Sequence, residues 1–189
     1  MALDQAVAAA HAPVSKARYD CWTICLHWLT ALLVVGLFAA AYVWNSLPPG
    51  TPLRKWLQAI HISFGLLFTV VFVIRLFWRS SRGRRLATEA DAIGILSKGM
   101  HILLYALLTA QVLLGFLLRW AQGEPFLFFG LFSVPSLFGP DKALSHIFEW
   151  LHNYTAWIII ILAAGHAIAA LTHHYLLRDD VLKRMLPFN

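Results

Sequence analysis

Residues 150–177 read WLHNYTAWIIIILAAGHAIAALTHHYLL, an uncharged run that is long enough to cross a lipid bilayer as one helix. Histidines stand at positions 152 and 166, fourteen residues apart. Fourteen helical residues rise about 21 Å and turn through about 1400°, so the two imidazoles share one face. In a hydrocarbon core roughly 30 Å thick, the rings lie near opposite sides of the membrane. The run is therefore predicted to hold a group at each side.

The composition excludes a water-soluble domain. Hydrophobic residues make up 60% of the 189 residues, charged residues 13%, and the mean hydropathy is +0.68. Backbone polar groups in lipid must bond within their own segment, and these runs lack the alternation of barrel strands. We therefore predict an all-α, integral membrane four-helix bundle that forms one domain over residues 1–189. The predicted helices cover approximately residues 22–45, 56–78, 97–119 and 147–177.

The distribution of Lys and Arg predicts the orientation. Both termini of this multi-pass membrane protein are expected to be cytoplasmic. The inner segments then hold eleven of the fifteen basic residues: Lys16, Arg18, Arg75, Arg79, Arg82, Arg84, Arg85, Lys98, Arg178, Lys183 and Arg184. Arg54, Lys55, Arg119 and Lys142 remain outside. The pI of about 9.7 is thus mostly a topology signal, with attraction to anionic lipid as a second consequence and no nucleic-acid partner expected.

Four histidines lie inside the predicted spans, where an unpaired polar group is costly and generally marks a site. They are His27, His61, His152 and His166. Their depths suggest that His61 meets His152 in the outer half and that His27 meets His166 in the inner half. His173 is an open alternative to His166, because it lies seven residues further along the same helical face.

Two neutral imidazoles that face each other between helices can serve as both axial ligands of a haem iron. Such an iron has no open position for a substrate, so the site transfers electrons. Gly65 and Gly165 stand beside two of these histidines and could let a flat macrocycle approach the backbone, although glycine is also common in ordinary membrane packing. Cys21 and Cys25 receive no function.

Several motifs together resemble the bacterial cytochrome b561 family of four-helix, di-haem membrane proteins, over nearly the whole chain. In order along the chain they are Arg18-Tyr19, Leu26-His27-Trp28-Leu29, Ile60-His61-Ile62-Ser63 with Gly65, Val73-Ile74-Arg75-Leu76, Gly123-Glu124-Pro125, Phe129-Gly130-Leu131, Leu151-His152, Gly165-His166-Ala167, residues 170–175, and Leu182, Arg184, Met185 and Pro187. The resemblance implies two haem b groups, with iron ligands at His27, His61, His152 and His166. It also selects His166 over His173.

The resemblance further implies a reaction, because the chain is similar to a branch that acts as a superoxide:ubiquinone oxidoreductase. Periplasmic superoxide is then the electron donor, and ubiquinone in the bilayer is the acceptor. Arg54 and Lys55 are candidates for attracting the superoxide anion. His101 and Arg75 are candidates for a quinone site, although Arg75 could equally pair with a haem propionate. No catalytic side chain is identified.

Three alternatives from other classes stay open. The chain could be the cytochrome b anchor that relays electrons between a partner dehydrogenase or hydrogenase and the quinone pool, since a fold does not fix a function. A proton or metal-ion pathway predicts membrane acids as partners, and the spans contain none. A purely structural bundle leaves four buried imidazoles without a strong reason. A homo-oligomer or a partner redox protein is compatible with the sequence.

Overall fold

Four long helices make up most of the computed structural model, which describes residues 18–83 and 92–187. They are α1 (Cys21–Ser46), α2 (Pro52–Ser81), α3 (Ala92–Gln122) and α4 (Lys142–Tyr175). A two-stranded antiparallel hairpin, β1 (Leu127–Phe128) and β2 (Phe132–Ser133), lies between α3 and α4, and a 3₁₀ turn (Lys183–Met185) follows α4. Lys16, Arg84 and Arg85, which entered the prediction of orientation, lie outside the described residues.

All four helices are long and apolar enough to cross a membrane, as predicted. Large apolar side chains in the middle of each helix point away from the protein: Leu32, Val70, Ile102 and Ile161 are 57–70% exposed. A lipid environment is the physical explanation of such exposure. The helices begin and end one to five residues from the predicted boundaries. α2, α3 and the start of α4 extend beyond their uncharged runs, whereas α1 and the end of α4 stay within theirs.

The bundle consists of two helical hairpins. α1 packs along α2, and α3 packs along α4, whereas α1 meets α4 and α2 meets α3 at few positions. All four helices contribute to one buried cluster at mid-depth: Leu26, Leu33, Phe68, Val71, Phe72, Leu108 and Ile159. On α4, Ile159 of this cluster lies midway in sequence between His152 and His166, so the cluster separates the two ends of the bundle.

One end of the bundle, here called the terminal end, holds the described ends of the chain. Asp20 caps α1 by accepting the Thr23 N–H at 2.8 Å, and it also accepts the Trp78 indole N–H of α2 at 2.8 Å. The C-terminal segment folds back onto α1, because the Trp28 indole donates to the Met185 carbonyl at 2.7 Å and Tyr19 N–H donates to the Arg184 carbonyl. The first and last described segments, around Tyr19 and Met185, are thereby tied to the same side of the bundle.

The opposite end, here called the hairpin end, carries β1 and β2. The chain leaves α3 through Gly123, whose φ of +69° suits glycine, and Asp141 caps α4 by accepting the Ala143 and Leu144 N–H groups at 2.8 and 3.0 Å. Ser63 of α2 is buried and accepts the Phe129 N–H at 3.0 Å. The hairpin is therefore anchored on α2, two residues beyond His61.

Candidate functional site

The structure brings the four span histidines together as two pairs. The ring centres of His27 on α1 and His166 on α4 are 6.3 Å apart, with ring planes at 69°. The ring centres of His61 on α2 and His152 on α4 are also 6.3 Å apart, with ring planes at 75°. We call these the terminal-side pair and the hairpin-side pair. Each pair joins one helix of the first hairpin to one helix of the second.

The separation of the rings fits one metal ion between each pair. A bond from a metal ion to an imidazole nitrogen is about 2.0 Å long and the ring centre lies about 1.1 Å further, so two rings on opposite sides of one ion have centres about 6.2 Å apart. Both pairs match this distance. No cluster of three or more His, Cys, Asp or Glu side chains suited to a metal ion occurs in residues 18–83 and 92–187. Each pair therefore offers two imidazoles, the number that a haem iron with two axial histidine ligands would need.

Hydrogen bonds fix the tautomers of the hairpin-side pair. The Leu37 carbonyl lies 3.0 Å from His61 Nδ1 and can only accept, so Nδ1 carries the proton and Nε2 keeps its lone pair. The Gln111 amide nitrogen lies 3.2 Å from His152 Nε2 and can only donate, which again leaves the lone pair on Nε2. Nε2 of each ring thus has the electron pair that a metal ion requires, and a metal ion bound to His152 Nε2 would displace the Gln111 hydrogen bond.

The terminal-side pair has a different environment. Arg75 of α2 donates through Nη2 to His27 Nδ1 at 3.1 Å and through Nε to the Tyr105 hydroxyl at 3.1 Å. Because a guanidinium only donates, His27 carries its proton on Nε2 in this arrangement. Coordination through Nε2 therefore requires that proton to leave Nε2. The exposed ring of His101 on α3 lies with its centre 5.3 Å from that of His166.

His173, the alternative to His166, is engaged elsewhere. Its Nδ1 pairs with an oxygen of Asp179 beyond the end of α4. Burial pushes the pKa of Asp179 upward, but hydrogen bonds from the His173 ring and the Val181 N–H outweigh it and hold that pKa below its ordinary value. The ring pair that forms with His27 is accordingly the one with His166.

The four basic residues predicted at the hairpin end differ in what they contact. Arg54 donates to the Trp44 and Leu47 carbonyls at 3.1 and 2.8 Å and so caps the end of α1. Arg119 pairs with Glu124 at 2.7 Å. The exposed ammonium groups of Lys55 and Lys142 make no hydrogen bond or ion pair within the described part of the chain. The lysines are therefore better suited than the arginines to attract an anion from solution.

Sequence reasoning assigned no role to three residues near these pairs, although Ser63 belongs to the quoted motif Ile60-His61-Ile62-Ser63. Gln111 contacts His152, Tyr105 contacts Arg75, and Ser63 anchors the hairpin beside His61. Gln111 could have been found, because an amide inside an apolar span is costly and needs a partner. Residue type alone gives no such signal for Tyr105 or Ser63, since tyrosine is common near the membrane interface and serine is common in helix packing.

Comparison with known proteins gives consistent matches over almost the whole chain. Residues 18–188 match the family model described as prokaryotic cytochrome b561. Cytochrome b561 homolog 2 of Escherichia coli (strain K12) is 33% identical over 171 residues, which cover 89% of this chain and 91% of the relative. Cytochrome b561 homolog 1 of the same strain is 30% identical over 172 residues, 90% of this chain and 97% of the relative. The probable superoxide oxidase CybB of Yersinia pestis is 27% identical over 172 residues, 90% of this chain and 96% of that protein.

Proposed function

This chain belongs to the prokaryotic cytochrome b561 family, and we propose that it holds two haem b groups, oxidises superoxide at its hairpin end and reduces ubiquinone in the membrane. Membership makes it a bacterial membrane protein of electron transfer, with haem b as its cofactor. The number of haems, the donor and the acceptor are the proposal. Superoxide as the electron donor is supported by one reported relative, the probable superoxide oxidase CybB of Yersinia pestis.

His27 and His166 are proposed to bind one haem iron, and His61 and His152 the other. The ring separation of 6.3 Å in both pairs is the observation that carries this assignment. A Cβ atom added to Gly65 or Gly165 would meet nothing within 4 Å, so packing within the described residues does not explain glycine there, whereas approach of a macrocycle would. Haem bound at two such sites supplies one-electron carriers without an open coordination position.

The two pairs are separated along α4 by fourteen residues, or about 21 Å of helix rise. Electrons delivered at one end of the bundle can therefore leave at the other. We assign the terminal end to the cytoplasm, because most Lys and Arg residues of the chain fall in segments at that end. The hairpin end then faces the periplasm, and the membrane is the inner membrane of a bacterium.

Superoxide is an anion that does not readily cross lipid, so its site must lie at the hairpin end. Each superoxide ion that gives up one electron leaves as dioxygen, and two of them supply the two electrons that convert a quinone to a quinol. Lys55 and Lys142 are exposed at this end and raise the local positive potential. Arg54 contributes charge, although its guanidinium is fixed on the last turn of α1.

The quinone site is proposed at the terminal end, beside the second pair. A quinone is mostly apolar with two carbonyl acceptors, so it needs a lipid-accessible surface with hydrogen-bond donors. Arg75 contacts His27, and the His101 ring contacts His166, so both candidates adjoin the proposed ligands. Protons for quinol formation are available from cytoplasmic water at this end.

The test is spectroscopic and uses the purified full chain. A reduced-minus-oxidised spectrum with haem quantification is recorded first, and superoxide is then added with and without ubiquinone-1. We expect two haems per chain, rapid reduction by superoxide, and reoxidation only when the quinone is present. Reduction that depends on an added dehydrogenase, with no response to superoxide, would instead favour the relay function.

A further inference from the structure

An open cavity of about 320 Å³ lies on the terminal half of the bundle, between α2 and α3. Leu76, Arg79, Ser80 and Tyr105 line it. Its size is at the lower end of the range for small-molecule sites, which is roughly 300–1,000 Å³. Because α2 and α3 meet at few positions, the cavity is accessible from the membrane between these helices. A membrane-dissolved molecule could therefore enter it sideways.

Tyr105 supplies a hydrogen-bond donor to this cavity. Its hydroxyl oxygen accepts from Arg75 Nε at 3.1 Å, and a hydroxyl that accepts one bond still has its own proton to donate. Arg79 also lines the cavity, and its guanidinium carbon lies over the Tyr19 ring, 5.6 Å from the ring centre. Leu76 gives the cavity an apolar wall. A neutral hydroxyl donor beside an apolar wall suits a flat molecule with carbonyl groups.

Arg75 connects the cavity to the terminal-side pair. Its side chain reaches Tyr105 through Nε and His27 Nδ1 through Nη2, each at 3.1 Å. A molecule bonded to the Tyr105 hydroxyl is thus two hydrogen-bonded side chains away from a proposed iron ligand. The guanidinium carbon of Arg75 also lies over the Tyr105 ring, 5.2 Å from the ring centre, and this contact fixes the two side chains relative to each other.

We propose that this cavity binds the quinone headgroup, with the Tyr105 hydroxyl donating to one quinone carbonyl. The inference rests on the proposed function and locates its acceptor step. In that step the quinone gains two electrons, one from each of two superoxide ions oxidised at the hairpin end, and two protons from water at the terminal end, and it leaves as quinol. A lipid phosphate would accept a hydrogen bond from the same Tyr105 hydroxyl, but a charged headgroup gains less than a flat, mostly apolar ring from contact with Leu76, so the chemistry favours the quinone.

The experiment measures binding of ubiquinone-1 to the purified haem-loaded chain in nanodiscs, by equilibrium dialysis. Tyr105→Phe removes only the hydroxyl, and Leu76→Trp fills the cavity without changing a polar group. Tyr154→Phe is the matched control, because it makes the same change on α4 away from the cavity. Haem content of each variant reports folding. The measurement is repeated with phosphatidylcholine alone and with added phosphatidylglycerol.

Loss of one hydrogen bond worth about 1 kcal/mol corresponds to an approximately fivefold weaker dissociation constant for Tyr105→Phe. Leu76→Trp is expected to weaken binding more than tenfold, and Tyr154→Phe to leave it unchanged. Unchanged affinity in both cavity variants would overturn the inference, as would weakening seen only when phosphatidylglycerol is present, which would assign the cavity to a lipid headgroup. A wild-type chain that neither binds nor reduces quinone would refute the proposed function itself.

Discussion

Replacing Ser63 with alanine should loosen the β-hairpin from α2. The Ser63 hydroxyl links α2 to the hairpin backbone. It accepts a hydrogen bond from the Phe129 N–H at 3.0 Å and donates a long one to the Leu127 carbonyl at 3.4 Å. Phe129 has a φ of +47°, a conformation that costs a residue with a side chain about 1–2 kcal/mol. The hydroxyl therefore helps to hold a strained residue in place.

The size of the effect follows from these contacts. The 3.0 Å bond is worth about 1 kcal/mol net, and the 3.4 Å contact is too long to add much. An energy of about 1 kcal/mol changes an opening equilibrium about fivefold. Aromatic contacts such as Phe64 with Phe129, whose ring centres are 5.4 Å apart, persist in the variant, so the hairpin should open more often without detaching.

Amide hydrogen exchange measures this opening directly. Peptides that cover residues 126–134 should exchange about fivefold faster in Ser63→Ala, whereas peptides from α1 should not change. Thr69→Val is the control, because its hydroxyl bonds only the Gly65 carbonyl of its own helix among the partners described. Equal exchange of the hairpin in wild type and Ser63→Ala would show that ring packing alone holds it, and the assigned role of Ser63 would be wrong.

Three further outcomes are expected. Lys55→Gln should slow haem reduction by superoxide in stopped-flow measurements, more at low than at high salt, because salt screens the attraction between the lysine and the superoxide anion. Equal rates in wild type and Lys55→Gln at every salt concentration would remove Lys55 from the superoxide path. His101→Ala should lower quinone reduction with intact haem spectra, and normal turnover would dismiss His101 as a quinone contact. Asp179 has a lowered folded pKa, so its contribution to stability is present above the unfolded pKa of about 3.9 and is lost as the pH falls through the folded value. The difference in thermal midpoint between wild type and Asp179→Asn should accordingly shrink as the pH falls below about 4, where the carboxylate becomes protonated, and a difference that grows over that range would contradict this sign.

The fold could be predicted from the sequence because a bilayer permits few structures. Uncharged runs of sufficient length leave only spanning helices, and the structure contains the four that were predicted. Helix ends were less predictable, since they depend on caps such as Asp20 and Asp141 and on how far each helix extends past its apolar run. The hairpin at residues 127–133 had no strand signal, because its pairing spans only two residues on each side.

The histidine pairs could be anticipated from depth alone, because helix direction and residue number fix the level of each ring in the bilayer. Depth cannot show which side chains approach a ring from the side. The rotation of α2 and α3 about their own axes decides these contacts, and it places Arg75 beside His27 and Gln111 beside His152. The same limit applies to Arg54. The sequence made it a candidate for attracting superoxide, and the structure shows its guanidinium bonded to the last carbonyls of α1.

The central claim is that each ring pair holds one haem, and haem quantification in four single variants tests it most directly. Potentiometric titration of the wild type should resolve two haems per chain. His27→Ala and His166→Ala should each lose the same component, and His61→Ala and His152→Ala should each lose the other, as the two 6.3 Å ring pairs require. A wild type with one haem, or variants of one pair that lose different components, would contradict the account.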